Sequence, residues 1–180
     1  MRNRLPIILA VIILVVAIFA IGSAGAADKK VNVNVSGAPL NLVVPVGDAA
    51  LADVTLDGTD QNATGVLGVV RVVDPRGTGQ GWYVTLVSTN FEEVLDPSKT
   101  IPSGAGGFQV TAANVSNISG NGGVTGNAGN LAPAALTVMD SPSPNGRGIN
   151  EANPDLDLQV PAETYIGTYA ATVTETLISY

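Results

Sequence analysis

Cysteine is absent from this chain, which excludes disulfides, thiol catalysis and cysteine-held metals outright. Histidine is absent as well. Without imidazole there is no Ser-His-Asp or Cys-His pair, no zinc site of the usual kinds and no side-chain switch near neutral pH. Aromatic residues make up only 4% of the sequence and include a single tryptophan, so a core must rest on Val, Ala, Leu and Ile. Basic side chains are few, eight against fifteen acidic ones, for a net charge of −7. Such a chain is repelled by nucleic acid and by anionic lipid, and neither is expected as a partner.

The one long apolar run lies at the start. Arg2 and Arg4 precede it, it extends from Leu5 to Ile21, and Ser23-Ala24-Gly25-Ala26 follows. A positive leader, an apolar stretch and an Ala-x-Ala site are the features of a secretory signal peptide spanning residues 1–26, cut after Ala26. The alternative is an uncleaved anchor, which would be the chain's only route to a membrane. Against it, the run is shorter than the roughly 20 residues a spanning helix needs. Cleavage leaves six basic side chains against fifteen acidic ones, a net charge of −9.

Residues 27–180 match one ordinary domain in size. Val, Ile and Thr recur in short runs, and Gly, Asn, Ser and Pro interrupt them every several residues. That rhythm predicts an all-β chain folded as an antiparallel β-sandwich of Ig-like or Greek-key type, after an N-terminal signal helix. Strands are expected at Val31–Val35, Leu40–Val46, Val54–Leu56, Gly65–Val73, Trp82–Ser88, Phe108–Thr111, Ala135–Met139, Leu156–Val160 and Thr168–Ile178. In the last of these, Tyr169, Ala171, Val173 and Leu177 share a face with Glu175. Between Gly104 and Asn153 the runs starting at Ile118 and at Ser141 are rich in Gly, Asn, Ser and Pro. They carry little apolar area to offset the entropy of ordering and are expected to be surface loops.

The densest local information lies in Asp74-Pro-Arg-Gly-Thr-Gly-Gln-Gly-Trp82 and the strand that follows it. Glycine and proline make the first half a tight turn that aims the only tryptophan. Trp82, Val84 and Leu86 then fall on one face of a period-2 pattern. Arg76 either holds the turn, through carbonyls or Asp74, or offers its planar fork to a carboxylate of a ligand. Trp82 is either a core anchor or a sugar-stacking platform. Glu175, on an apolar face, belongs at a solvated strand end or beside a cation, since an unpaired buried carboxylate is costly.

These residues carry a resemblance. The first block resembles the Gly-rich loop of the WxL domain, a cell-wall-associated module of Gram-positive surface proteins, at Asp74, Arg76, Gly77, Thr78, Gly79, Gly81 and Trp82, with Val84 where leucine is usual. The C-terminal block is similar to the second WxL motif at Val160, Pro161, Ala162, Gly167, Thr168, Tyr169, Val173 and Leu177. Glu175 stands where that motif has its second tryptophan. The resemblance implies wall-binding candidates at Asp74, Arg76, Gly77, Gly79, Gly81, Trp82, Val84, Tyr169, Val173, Glu175 and Leu177.

Catalytic chemistry finds little support. Carboxylates cluster as Asp53, Asp57 and Asp60, as Glu92, Glu93 and Asp96, and as Asp155 with Asp157. Paired carboxylates serve glycoside hydrolysis or calcium binding, but the spacing fits no calcium loop and the clusters sit in turn-rich sequence. They are expected to be solvated turn residues. Gly77 to Gly81 is not a dinucleotide loop, because that motif needs a helix after it and a strand follows here. No catalytic residue, metal or cofactor is expected. The expected role is that of a secreted, non-enzymatic protein of the cell wall or extracellular surface. Its partners would be peptidoglycan or other surface proteins, held noncovalently. No sortase-type tail is seen, so attachment is expected through the fold itself. The alternative is a surface fibre or coat subunit, a homo-oligomer, in which Val31-Asn-Val-Asn-Val35 donates a strand to a neighbour's edge.

The signal assignment makes a direct prediction. Mass spectrometry of the exported protein should find the N-terminus at Ala27, and an intact apolar run on the exported chain would make this an anchored domain.

Overall fold

Short valine- and leucine-rich segments punctuated by glycine cannot bury an apolar stripe as helices, but each can cover one face of a sheet. The computed structural model describes residues 29–104 and 106–180, so the expected signal peptide lies outside the described residues. Among the described residues there is no helix. One compact unit runs from Ser36 to Tyr180, and it is all-β.

Fifteen strands form it: β1 (Asn41–Val43), β2 (Gln61–Val66), β3 (Val70–Asp74), β4 (Trp82–Ser88), β5 (Phe91–Glu93), β6 (Thr100–Ile101), β7 (Phe108–Ala112), β8 (Val115–Gly120), β9 (Thr125–Gly126), β10 (Gly129–Asn130), β11 (Leu136–Ser141), β12 (Gly148–Ala152), β13 (Asp155–Val160), β14 (Tyr169–Ala170) and β15 (Val173–Ser179). They pair antiparallel in the orders β1-β3-β12-β8, β10-β7-β13-β2, β15-β4-β11-β9 and β14-β5-β6. Early and late strands interleave, as the long return connections of Greek-key sandwiches require.

Alternation builds the core. Trp82, Val84 and Leu86 on β4, Val70 and Val72 on β3, and Leu156, Leu158 and Val160 on β13 all point inward and are buried. Phe91 meets Phe108 edge-on with ring centroids 4.9 Å apart, which joins β5 to β7. Each such side chain contributes about 1.5–3 kcal/mol by leaving water.

Several expected strands hold. β4 spans the predicted residues, and β7, β11 and β13 lie within a residue or two of them. Others are corrected. Val31–Val35 and Val54–Leu56 form no strand, although Val54 and Leu56 still pack against the core from irregular chain. Gly65–Val73 is two strands, because Gly68 takes a φ of 99° and turns the chain between β2 and β3. Thr168–Ile178 breaks at Ala171 and Thr172: Tyr169 and Ala170 pair with β5, whereas Val173 onward pairs with β4. The stretch read as loose loops contains β8, β9 and β12, and Asn150 within it is fully buried. Polar strands of this kind are held by backbone pairing to a partner, which composition does not report.

β15 lies against β4 in an unbroken register from Val173 opposite Ser88 to Ser179 opposite Trp82. Deleting Gly167–Tyr180 therefore strips β4 along its whole length and uncovers the core beneath it. The loss exceeds the roughly 5–15 kcal/mol that holds a domain together, so the truncated chain should show no cooperative melt. A monomeric truncation with a sharp transition would refute this arrangement.

Candidate functional site

The turn between β3 and β4 is built around one ion pair. β3 ends at Asp74, a residue only 2% exposed. Two residues on, the Arg76 guanidinium reaches back, with Nε donating to Asp74 Oδ1 at 2.8 Å and Nη2 to Oδ2 at 3.0 Å. Nη2 also donates to the Gln80 carbonyl at 2.7 Å, and Nη1 donates to Ser179 Oγ on β15 at 2.6 Å. All but one of the guanidinium N–H groups are thereby used. Of the two roles the sequence left open for Arg76, the structure supplies the one that holds the turn.

Glycines let the loop close. Gly77 and Gly79 have φ of 70° and 72°, a region that side chains rarely adopt. At Gly81 a Cβ would collide with the Ser141 carbonyl and the Tyr180 ring, so only glycine lets the last residues of the chain cross here. The Tyr180 amide donates to the Gly81 carbonyl at 3.1 Å, and its hydroxyl donates to Asp140 Oδ1 at 2.6 Å. The loop delivers Trp82 into the core with no exposed surface. Its indole Nε1 donates to the Gly146 carbonyl at 3.3 Å, which also accepts from Asn150 Nδ2 at 3.1 Å. Trp82 is a core anchor, and a ring so enclosed offers no face to a sugar. Val84, two residues on, is equally enclosed.

The C-terminal candidates divide. Val173, Glu175 and Leu177 lie on the inward face of β15, half-buried at the edge of the sheet, and Val173 and Leu177 pack against the core. Glu175 sits mid-strand opposite Leu86, neither at a strand end nor beside a cation, which corrects the expectation. Its Oε2 is enclosed without a hydrogen-bond partner, and burial pushes its carboxyl above the ordinary 4.5. The position is tolerable because the edge leaves the rest of the carboxyl in water. Tyr169 stands elsewhere, on β14, where its hydroxyl donates to the Tyr165 carbonyl at 2.9 Å.

That second location opens into a groove of about 650 Å³ between the Ser98–Pro102 turn and the Pro161–Tyr169 segment. Tyr165 is 67% exposed there, and Lys99 Nζ lies 5.2 Å from the centre of its ring. Thr100, Glu163 and Thr164 add polar groups. Of its lining residues the sequence offered Tyr169 as a candidate and Pro161 only as part of the motif. Lys99 and Tyr165 carried no motif of their own, and only the turns that bring them together reveal them. Ser179, Tyr180 and Gly146, which complete the Arg76 and Trp82 contacts, were missed for the same reason.

The carboxylate clusters do not converge. Asp57 accepts from Thr59 and Gln61, Asp96 accepts from Ser98, and Glu93, buried on β5, accepts the Leu95 amide at 3.0 Å. Asp155 and Asp157 lie on β13, not in a turn, and accept from Asn114 and Asn62. Among the described residues no group of three or more acidic side chains is placed to hold a metal ion. No known protein-family model matches the chain, and no curated protein matches it.

Asp74 makes stability depend on pH. Burial alone pushes its carboxyl up, but the hydrogen bonds and charge of Arg76, with the charge of Arg147, outweigh burial and hold it below the ordinary 3.8. The contribution is complete above that ordinary value and is lost as pH falls through the lowered folded value. Arg76→Met strands a buried carboxylate and should cost about 3–5 kcal/mol at neutral pH. Thermal melts of both proteins should converge as acid protonates Asp74, and a gap that stayed constant with pH would show that the ion pair is not its source.

Proposed function

We propose that the chain is an exported, non-catalytic β-sandwich of the bacterial surface that associates noncovalently with peptidoglycan, through the groove between Lys99 and Tyr169. The observation that carries this reading is Tyr165. A tyrosine that leaves 67% of itself in water beside an ammonium departs from the burial that aromatic side chains usually find. Its ring gives an amphipathic surface for the apolar face of a pyranose. Lys99 adds a cation for the carboxylates of a wall polymer, and Thr100, Glu163 and Thr164 add polar atoms for hydroxyl and amide groups.

The groove also follows the resemblance. Pro161 and Tyr169, two of its walls, belong to the Val-Pro-Ala and Gly-Thr-Tyr segments that resemble the second WxL motif. The first motif supports the reading only indirectly, since Asp74, Arg76 and Trp82 are spent on holding the fold. A second groove, lined by Val43, Val44, Val46 and Val69, has Arg71 as its only charged group. It has no aromatic ring, and Arg71 already donates to Glu151. It suits a glycan less well.

The test is co-sedimentation with insoluble peptidoglycan. Tyr165→Ala should weaken retention by roughly tenfold, equivalent to about 1.4 kcal/mol, and leave the melting temperature unchanged because the ring is exposed. Trp82→Ala should lower the melting temperature, by a core cost of about 3–5 kcal/mol. Retention unaffected by Tyr165→Ala would remove the groove from the wall contact.

A further inference from the structure

Among the described residues β15 is the longest strand with an open edge: it terminates its sheet and pairs on one side only, with β4. The backbone groups on its other side are free to take another strand. Three of the usual guards are missing, for the strand Val-Thr-Glu-Thr-Leu-Ile-Ser holds no lysine and no proline, and its register on β4 has no bulge. Its faces differ. Val173, Glu175 and Leu177 look inward and half-buried, while Thr174 and Thr176 are exposed.

A matching segment stands at the other end of the chain. Lys29-Lys30 leads into Val31-Asn32-Val33-Asn34-Val35, which alternates without a break, takes no strand pairing among the described residues, and leaves Val31, Val33 and Val35 exposed by 88%, 85% and 85%. Three aligned valines in water are a face in need of a cover. We infer that residues Lys29–Val35 of one copy add as an antiparallel strand to the open edge of β15 in a second copy, so that the chain associates with itself by strand donation.

Pattern and charge both fit. Setting Val31 opposite Glu175 sets Val33 opposite Val173, where β15 begins, and carries Val35 past that end toward Ala171, which packs against the core. The polar face then matches as well, with Asn32 beside Thr174 and Lys30 beside Thr176. Lys29 falls opposite Leu177, diagonal to Glu175 and within reach of a long side chain. An inward charge is one of the devices that keep an edge from pairing with any passing strand. Glu175, with one oxygen enclosed and unpartnered, admits a strand that brings its own ammonium and resists one that does not. The other long edges fit less well. β2 is partly occupied by Leu51, bridged to Gly65, and by the Ala52 amide bonded to Thr64. On β8 the two apolar residues, Val115 and Ile118, fall on opposite faces.

This inference is independent of the groove. Sedimentation of the exported chain over a concentration series should show association beyond the monomer. The variant carrying Val31→Asn, Val33→Asn and Val35→Asn should stay monomeric at the same concentrations with an unchanged melting temperature. Because the chain has no cysteine, pairing can be trapped directly. A mixture of Asn32→Cys and Thr174→Cys chains should oxidise to a disulfide-linked pair, whereas Asn32→Cys mixed with Ser116→Cys on β8 should not. A monomer at every concentration, association that survives the triple substitution, or cross-linking to Ser116→Cys in preference to Thr174→Cys would each overturn the inference.

Discussion

The guanidinium of Arg76 is the contact on which the rest of this sandwich depends. It closes the Asp74–Trp82 turn on itself through the bidentate bond to Asp74, and ties that turn to the end of the chain through Ser179. Both partners are largely out of water, with side-chain exposures of 13% for Arg76 and 1% for Asp74. An isolated buried pair is weak evidence of stability, because desolvation consumes much of the attraction. What distinguishes this one is that its hydrogen bonds also fix backbone. The Gln80 carbonyl is held one residue before Gly81, where Tyr180 crosses, and two before Trp82, which enters the core. Position, more than net energy, is what the ion pair contributes.

A chain with so few aromatic residues has reason to fix its tryptophan well. Trp82 belongs to a core otherwise made mostly of valines and leucines, with two phenylalanines. Its indole shares the Gly146 carbonyl with Asn150, so the polar atom of the ring is satisfied by a loop that composition marks as loose. Sequence order scatters these residues between positions 74 and 180, and the antiparallel pairing of β4 with β11 and β15 collects them. The turn, the return strand and the Gly146 loop form one unit at one end of β4.

The fold class and the inward face of β4 were legible because alternation is a local signal, and Trp82, Val84 and Leu86 repeat it cleanly. The Arg76–Asp74 pair was legible as one of two options, since two residues of separation in a turn bring opposite charges together. What was not legible depends on partners distant in sequence. β8 and β12 have little apolar periodicity and become strands by pairing with each other. The break at Ala171 is set by β5 and β4 competing for successive stretches of one segment. The groove at Tyr165 is formed by two segments about sixty residues apart, and no motif in either marks Lys99 or Tyr165.

Glu175 shows how the two ends of this argument meet. On a strand whose neighbours are half-buried, a tryptophan would extend the apolar face to the sheet edge and leave it exposed to any strand in solution. A carboxylate there costs folding energy, because burial beside Val173 and Leu177 disfavours its ionised form and raises its pKa. The sandwich tolerates that cost because the sheet edge leaves the rest of the carboxyl in water, while Arg76 and the Tyr180 crossing hold the end of β15 in place. An inward charge is one of the devices that restrain an open edge, and the alternating faces of the same strand set the register in which a partner strand would pair with it.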